Sequence, residues 1–146
     1  MTNLTKLSKS RTLVSDGAWG TLLQQKGLAP GECPETWNIT HRMEVLDIAD
    51  SYIKAGSDMI ETNSFGGNRF KLEKYGLENR TVELNRAAAE ISRAAAGDGK
   101  IVLGSIGPTG KMLLLEEVTP EELYDAFREQ AMALEAGGAD AIVWKP

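Results

Sequence analysis

The sequence predicts an α/β fold in which parallel strands alternate with helices. Four short apolar runs carry that expectation: "TLVSD" from Thr12, "DMIETN" from Asp58, "IVLGSIG" from Ile101 and "ADAIVW" from Ala139. They recur at intervals of roughly forty residues with helical patterns between them. Runs this continuously apolar mark strands buried on both faces, and strands separated by helices pair in parallel. The turns before the second and fourth runs, "AGSD" and "GGAD", are nearly copies of each other. Polar residues gather just after the strands, where a (β/α) barrel concentrates its chemistry. Four units are half of such a barrel. The expected architecture is therefore a partial (β/α)8 TIM barrel, about its first four β/α units, over residues 11–146, behind a polar N-terminal tail at 1–10.

Each element has its own signal. Strands are expected near 12–16, 58–63, 101–106 and 140–144. The first helix runs from about Arg42 to Ala55, with Val45, Ile48, Ala49, Tyr52 and Ile53 on one face and Gly56 as its stop. In "VELNRAAAEISRAAAGDG", Leu84, Ala88, Ile91 and Ala95 repeat the pattern before the Gly97-Asp98-Gly99 turn. The third helix has the clearest start. Thr119-Pro120-Glu121-Glu122 is a capping box with proline at the first helical position, and Leu123, Ala126, Phe127, Ala131 and Leu134 form its stripe before Gly137-Gly138.

Bulk properties narrow the function. The 146 residues are 42% hydrophobic, enough for one domain with a core. A net charge of -5, with acids and bases interspersed, offers no basic stripe to neutralise phosphates, so neither nucleic acid nor an anionic membrane surface is an expected partner. The start "MTNLTKLSKS" has no apolar run behind its basic residues, and no run of about 18 apolar residues occurs anywhere, so the expected location is the cytoplasm. One cysteine, Cys33, forbids an internal disulfide. Cys33 and His41 are the only soft ligands and cannot assemble a closed zinc site, so Cys33 reads as an inert loop thiol and His41 as a solvated residue.

Two motifs carry chemistry. In "DGAWGT", Asp16 ends the first strand and Gly17 can present its N–H unhindered. A carboxylate beside free N–H groups matches an amino acid, pairing with its ammonium while the N–H groups donate to its carboxylate. The same residues also fit a strand-to-loop turn closed by an Asx interaction. In "ETNSFGGNR", Glu61 and Asn63 leave the second strand on one side and Thr62 on the other, either toward a ligand or into hydrogen bonds of the interior. "GSIGPTGK" is not a phosphate loop. Five residues separate Gly104 from Gly110 where that motif has four, and Met112 replaces its hydroxyl. Pro108 instead fixes a tight turn, and Gly107 and Gly110 allow close backbone approach. Trp19 and Trp37 could line a pocket or pack its rim.

Taken together, "DGAWGT", "PETWN", "AGSDMIETNSFGGNRFKLEKYGLE", "ELNRAAAEISRAA", "GSIGPTG" and "ELYDAFREQAMALEAGGADAIV" resemble the homocysteine S-methyltransferase family over nearly the whole chain after its first ten residues. The resemblance implies that Asp16 and the Gly17-Ala18 backbone hold the amino acid end of homocysteine. It implies that Glu61, Thr62 and Asn63, with the loop containing Gly107 and Thr109, shape the pocket around it. It also implies zinc, which turns the substrate thiol into a bound thiolate able to attack a methyl group. The family's three zinc cysteines belong to later barrel strands, so no metal ligand is expected here and the chain alone is expected to be inactive.

The resemblance departs at "IVWKP", where Lys145 stands in place of a family glutamate that helps to hold the ammonium. A lysine there would repel an ammonium, and the last residues read as foreign to the family, as in a truncated copy or a split barrel. The methyl donor is open, a corrinoid among the possibilities. The expected partners are homocysteine, a second half-barrel or corrinoid protein, and further copies of the chain, since open sheet edges favour self-association. The competing reading is a non-catalytic half-barrel that self-associates or complements another chain.

Overall fold

The computed structural model describes residues 3–146 and forms a mixed α/β structure around one parallel sheet. Its strands β1 (Met59–Glu61), β2 (Ile101–Ile106) and β3 (Ala141–Trp144) lie in the order β1-β2-β3. Met59 pairs with Ile101, and Leu103 with Ala141, both in parallel register. All six residues of the central β2 are buried. That agrees with a strand that is apolar without alternation.

The first expected strand is the exception. Residues 12–16 run parallel to β1 but form a single bridge, Ser15 to Met59. The bonding is local: Asp58 N–H donates to the Val14 carbonyl at 2.7 Å, and Asp16 N–H to the Met59 carbonyl at 3.1 Å. Val14 remains 56% exposed, so little apolar burial extends the pairing before Gly17 turns the chain away. Side chains hold this segment instead. Arg11 donates through both terminal nitrogens to the two oxygens of Asp58, at 2.7 Å each, and Val14 N–H donates to Asp58 Oδ2 at 3.1 Å.

The helices are α1 (Asn3–Ser10), α2 (Gly20–Gln25), α3 (Trp37–Thr40), α4 (Arg42–Lys54), α5 (Arg69–Glu73), α6 (Thr81–Ala96) and α7 (Pro120–Ala136). The three long helices α4, α6 and α7 match the expected stripes. Val45, Ile48 and Ala49 of α4 are buried at the helical spacing, and burial of a side chain such as Ile48 stabilises by about 1.5–3 kcal/mol. The capping box opens α7, with Glu122 N–H donating to Thr119 Oγ1 at 3.1 Å and Thr119 N–H to Glu122 Oε2 at 2.8 Å. The polar tail expected at 1–10 is helical from Asn3 to Ser10.

Helix α6 lies between α4 and α7 and also contacts β1 and β2. Its alanines permit that crowding. A Cβ on Gly137, just past α7, would stand 2.3 Å from the Arg86 carbonyl and 2.7 Å from Ala89 Cβ, so the end of α7 can approach α6 only as glycine. The helix-to-sheet core is built from Ala49, Ile60, Ala96 and Val102, and from Ala89, Ile106 and Leu134. A third cluster of Leu23, Leu28, Trp37, Val45, Ile48 and Ile91 joins α2 and α3 to α4 and α6. Among the described residues no helix is long and apolar enough to cross a membrane.

Candidate functional site

A cavity of about 540 Å³ opens where β1 and β2 end, between the loop from Gly17 to Gly20, the Pro34-Glu35 turn and the segment from Glu61 to Gly66. It has an apolar wall in Trp19, Leu23 and Phe65 and charged groups in Glu35, Glu61, Lys71 and Lys145. Five of the eight expected site residues line it: Gly17, Ala18, Glu61, Thr62 and Asn63. Asp16 and Gly107 stand one layer behind, bonded to the lining residues Glu61 and Phe65, and Thr109 does not line the cavity.

Asp16 braces the cavity wall. Its Oδ2 accepts the Trp19 indole N–H at 2.7 Å and the Glu61 N–H at 2.9 Å, while Oδ1 accepts the Ser15 hydroxyl at 3.0 Å. Burial raises its pKa above the ordinary aspartate value, although these three hydrogen bonds pull the other way. The following loop is pinned by Tyr52, whose hydroxyl donates to the Ala18 carbonyl at 2.7 Å. A Cβ on Gly17 would meet that hydroxyl at 3.1 Å. The N–H groups of Gly17 and Ala18 donate to no described residue and lie at the cavity wall.

The segment after β1 divides its side chains between ligand space and interior. Thr62 faces inward, its hydroxyl 2.6 Å from that of Ser64 and accepting the Ser105 N–H at 3.0 Å. Asn63 donates to the Pro34 carbonyl at 2.8 Å and to Asn38 Oδ1 at 3.0 Å. Asn38, the last residue of the "PETWN" motif, donates in turn to the Asn63 carbonyl at 2.8 Å. Gln130 of α7 donates to the Ser64 carbonyl at 2.8 Å. These buried amides and hydroxyls fix the loop through mutual hydrogen bonds, with Gln130 Oε1 the buried acceptor left without a partner, and the polar residues that alternated off the strand mostly serve this network. Glu61 alone keeps a charged end in the cavity, paired with Lys145 at 2.7 Å.

The turn containing Gly107 acts indirectly. Gly107 N–H donates to the Phe65 carbonyl at 2.9 Å, which seats Phe65 on the cavity wall. Buried Thr109 caps its own turn by accepting the Lys111 N–H at 3.2 Å.

Glu35 is a site residue that the sequence reading did not single out. It is buried, accepts the Gly66 N–H at 2.7 Å and the Cys33 thiol at 3.3 Å, and its pKa is raised by burial. Its signal was present in "PETWN", but only the fold brings it beside Gly66. Trp37 does not line the cavity. It is buried in the core and stacks on the half-buried His41 with ring centroids 4.1 Å apart, so one face of the His41 ring is packed while the residue stays partly open to solvent.

The residues present do not fit the zinc that the resemblance implies. The Cys33 thiol is buried and pushed up to about 12 by burial and by the neighbouring Glu35 carboxylate. A thiol so protonated is a poor metal ligand. Among the described residues no group of three His, Cys, Asp or Glu side chains could hold a metal ion.

The site and fold fit one class of protein, a parallel α/β domain with a cleft of about 540 Å³ at the carboxyl ends of its strands. The family model of homocysteine S-methyltransferase matches residues 13–145, and the chain belongs to that family. The match runs through Lys145, so the last strand is family sequence and not foreign to it. The chain is 36% identical to the methionine synthase of Mycobacterium tuberculosis (strain ATCC 25618 / H37Rv), over 97% of this chain and 13% of that protein. It is 34% identical to the methionine synthase of Mycobacterium leprae (strain TN) over the same shares. Its fold is similar to part of the homocysteine methyltransferase MmuM from Escherichia coli. Against the metallated form the TM-score is 0.79 at 22% identity, covering 97% of this chain and 56% of that one. Against the apo form it is 0.66 at 24% identity, covering 93% and 49%. The chain thus spans 13% of the length of these methionine synthases and about half of the solved relative.

Proposed function

We propose that this chain is the homocysteine-binding portion of an S-methyltransferase that forms methionine. The observation that carries this reading is the conjunction, at one cavity wall, of Gly17 and Ala18, whose N–H groups donate to no described residue, with the carboxylate of Glu61, backed from behind by Asp16. Such a wall complements an amino acid, with its carboxylate toward the N–H groups and its ammonium toward the acids. The apolar side chains of Trp19, Leu23 and Phe65 suit the methylenes and thiol beyond. The residues of this chain bind and orient the amino acid and exclude water around it, and its isolated form transfers no methyl group.

Titration calorimetry with L-homocysteine tests this. Asp16→Asn removes the charge behind the ammonium site and should weaken binding about tenfold or more. Gly17→Val should do the same, because its side chain would displace the Tyr52 hydroxyl that holds Ala18. Unchanged affinity in both variants would remove the assignment.

Association with further copies is a second reading. Ile142 and Trp144, on one face of β3, are 42% and 58% exposed. Exposed apolar residues at a sheet edge favour pairing. Sedimentation should show a dimer or larger species, and a monodisperse monomer would set this reading aside.

A further inference from the structure

Among the described residues the Glu61–Lys145 pair is the one direct salt bridge between groups lining the cavity. Glu61 closes β1 and Lys145 follows β3, so the pair spans the sheet across the intervening β2, whose Ser105 also faces the cavity. The Glu61 side chain is 12% exposed and that of Lys145 45%. Lys145 is therefore the partner with room to move, on a flexible stem. Its backbone is anchored, since Lys145 N–H donates to the Ile106 carbonyl at 2.9 Å. Asp16 lies behind Glu61, accepting the Glu61 N–H at 2.9 Å, and Lys145 pairs with the Glu61 carboxylate.

We infer that Lys145 is a specificity-determining residue that reads the carboxylate of an α-amino acid. The pair opens to admit the ligand, whose ammonium takes the place of Lys145 beside Glu61 while its carboxylate meets the freed lysine. The inference rests on the homocysteine reading above and deepens it. Its physical basis is the cost of separating the pair, which leaves the largely buried Glu61 carboxylate uncompensated while the more exposed Lys145 regains water. A ligand carrying only an amine satisfies Glu61 and gives Lys145 water in place of an anionic partner. A ligand carrying only an acid satisfies Lys145 and leaves Glu61 uncompensated. An α-amino acid brings both charges on adjacent groups and compensates both, so the ion pair rejects singly charged thiols as well as binding the right one. The Gly17 and Ala18 N–H groups supply neutral donors to the same carboxylate, and Lys145 supplies the charge.

Calorimetric titration of the full chain with L-homocysteine, homocysteamine, which lacks the carboxylate, and mercaptobutyrate, which lacks the ammonium, tests this on wild type, Lys145→Met and Lys145→Arg. Wild type should prefer homocysteine to homocysteamine by about tenfold or more. Lys145→Met should bind homocysteine about tenfold more weakly and lose that preference, and Lys145→Arg should restore both. Thermal melts of the variants confirm that each is folded. A Lys145→Met chain that binds homocysteine as tightly as wild type, or more tightly, overturns the inference and leaves the homocysteine reading standing, because Lys145 would then merely occupy the ammonium site. Absence of homocysteine binding in wild type and Lys145→Met alike overturns both.

Discussion

Gly107 donates its N–H to the Phe65 carbonyl at 2.9 Å, and a Cβ built on Gly107 would stand 2.6 Å from that same oxygen and 2.7 Å from the Phe65 ring. The obstruction includes backbone, so it cannot be relieved by turning a side chain. Gly107→Ala should therefore destabilise the fold by about 1–3 kcal/mol and weaken ligand binding through displacement of Phe65. Chemical denaturation reads the first effect and ligand titration the second. An alanine variant of wild-type stability and affinity would mean that Phe65 is not held by this contact.

Glu35 gives a pH dependence whose sign follows from burial. Its pKa is raised from the ordinary 4.5, so its favourable contribution is complete below that value and is lost as pH rises through the raised one. Glu35→Gln keeps an acceptor for Gly66 N–H without the buried charge. The stability of Glu35→Gln relative to wild type should increase between about pH 4.5 and neutrality, measured by denaturation at several pH values. A pH-independent difference would argue against a buried carboxylate that charges within the fold.

Cys33 should be inert in the native state. With its thiol buried and pushed up to about 12, a disulfide reagent at neutral pH should label it only after denaturant is added. The same chain should take up no stoichiometric zinc in calorimetry, because its single protonated thiol is a poor ligand and no group of three His, Cys, Asp or Glu side chains comes together among the described residues. Tight one-to-one zinc binding that survives Cys33→Ser would place a metal site elsewhere.

Asp58 carries the opposite pH sign. The Arg11 guanidinium holds its carboxyl well below the ordinary 3.8, with the Val14 N–H adding to the effect, so its contribution is present above that value and is lost as pH falls below it. The segment from Arg11 to Asp16 depends on this clamp. Asp58→Asn should lower amide-exchange protection at Val14 and Asp16 near neutral pH, and acid should do the same to wild type. Unaltered protection would show that the short backbone pairing with β1 suffices.

Local signals fixed much of this structure before any tertiary contact was known. The stripes of α4, α6 and α7, the Thr119 capping box and the run "IVLGSI" were legible because periodicity and capping are properties of neighbouring residues, and long elements average over enough positions to show them. The short helices Gly20–Gln25, Trp37–Thr40 and Arg69–Glu73 span too few turns for a stripe. The run at Thr12–Asp16 looked like a strand, yet pairing needs a partner along its length and only Ser15 acquires one.

The site divides along the same line. The residue types of an amino-acid cleft, Asp16 with two glycines and the polar sequence Glu61-Thr62-Asn63, are written in the chain. Which of them face the cavity is decided by the fold, because Thr62 and Asn63 spend their hydrogen bonds on Ser64, Ser105, Pro34 and Asn38. Lys145 shows the difference most sharply. By sequence it was a misplaced cation that would repel an ammonium, but across the sheet it finds Glu61, 84 positions earlier in the numbering. Charge acts through space, and only the parallel order β1-β2-β3 brings those two residues within 2.7 Å.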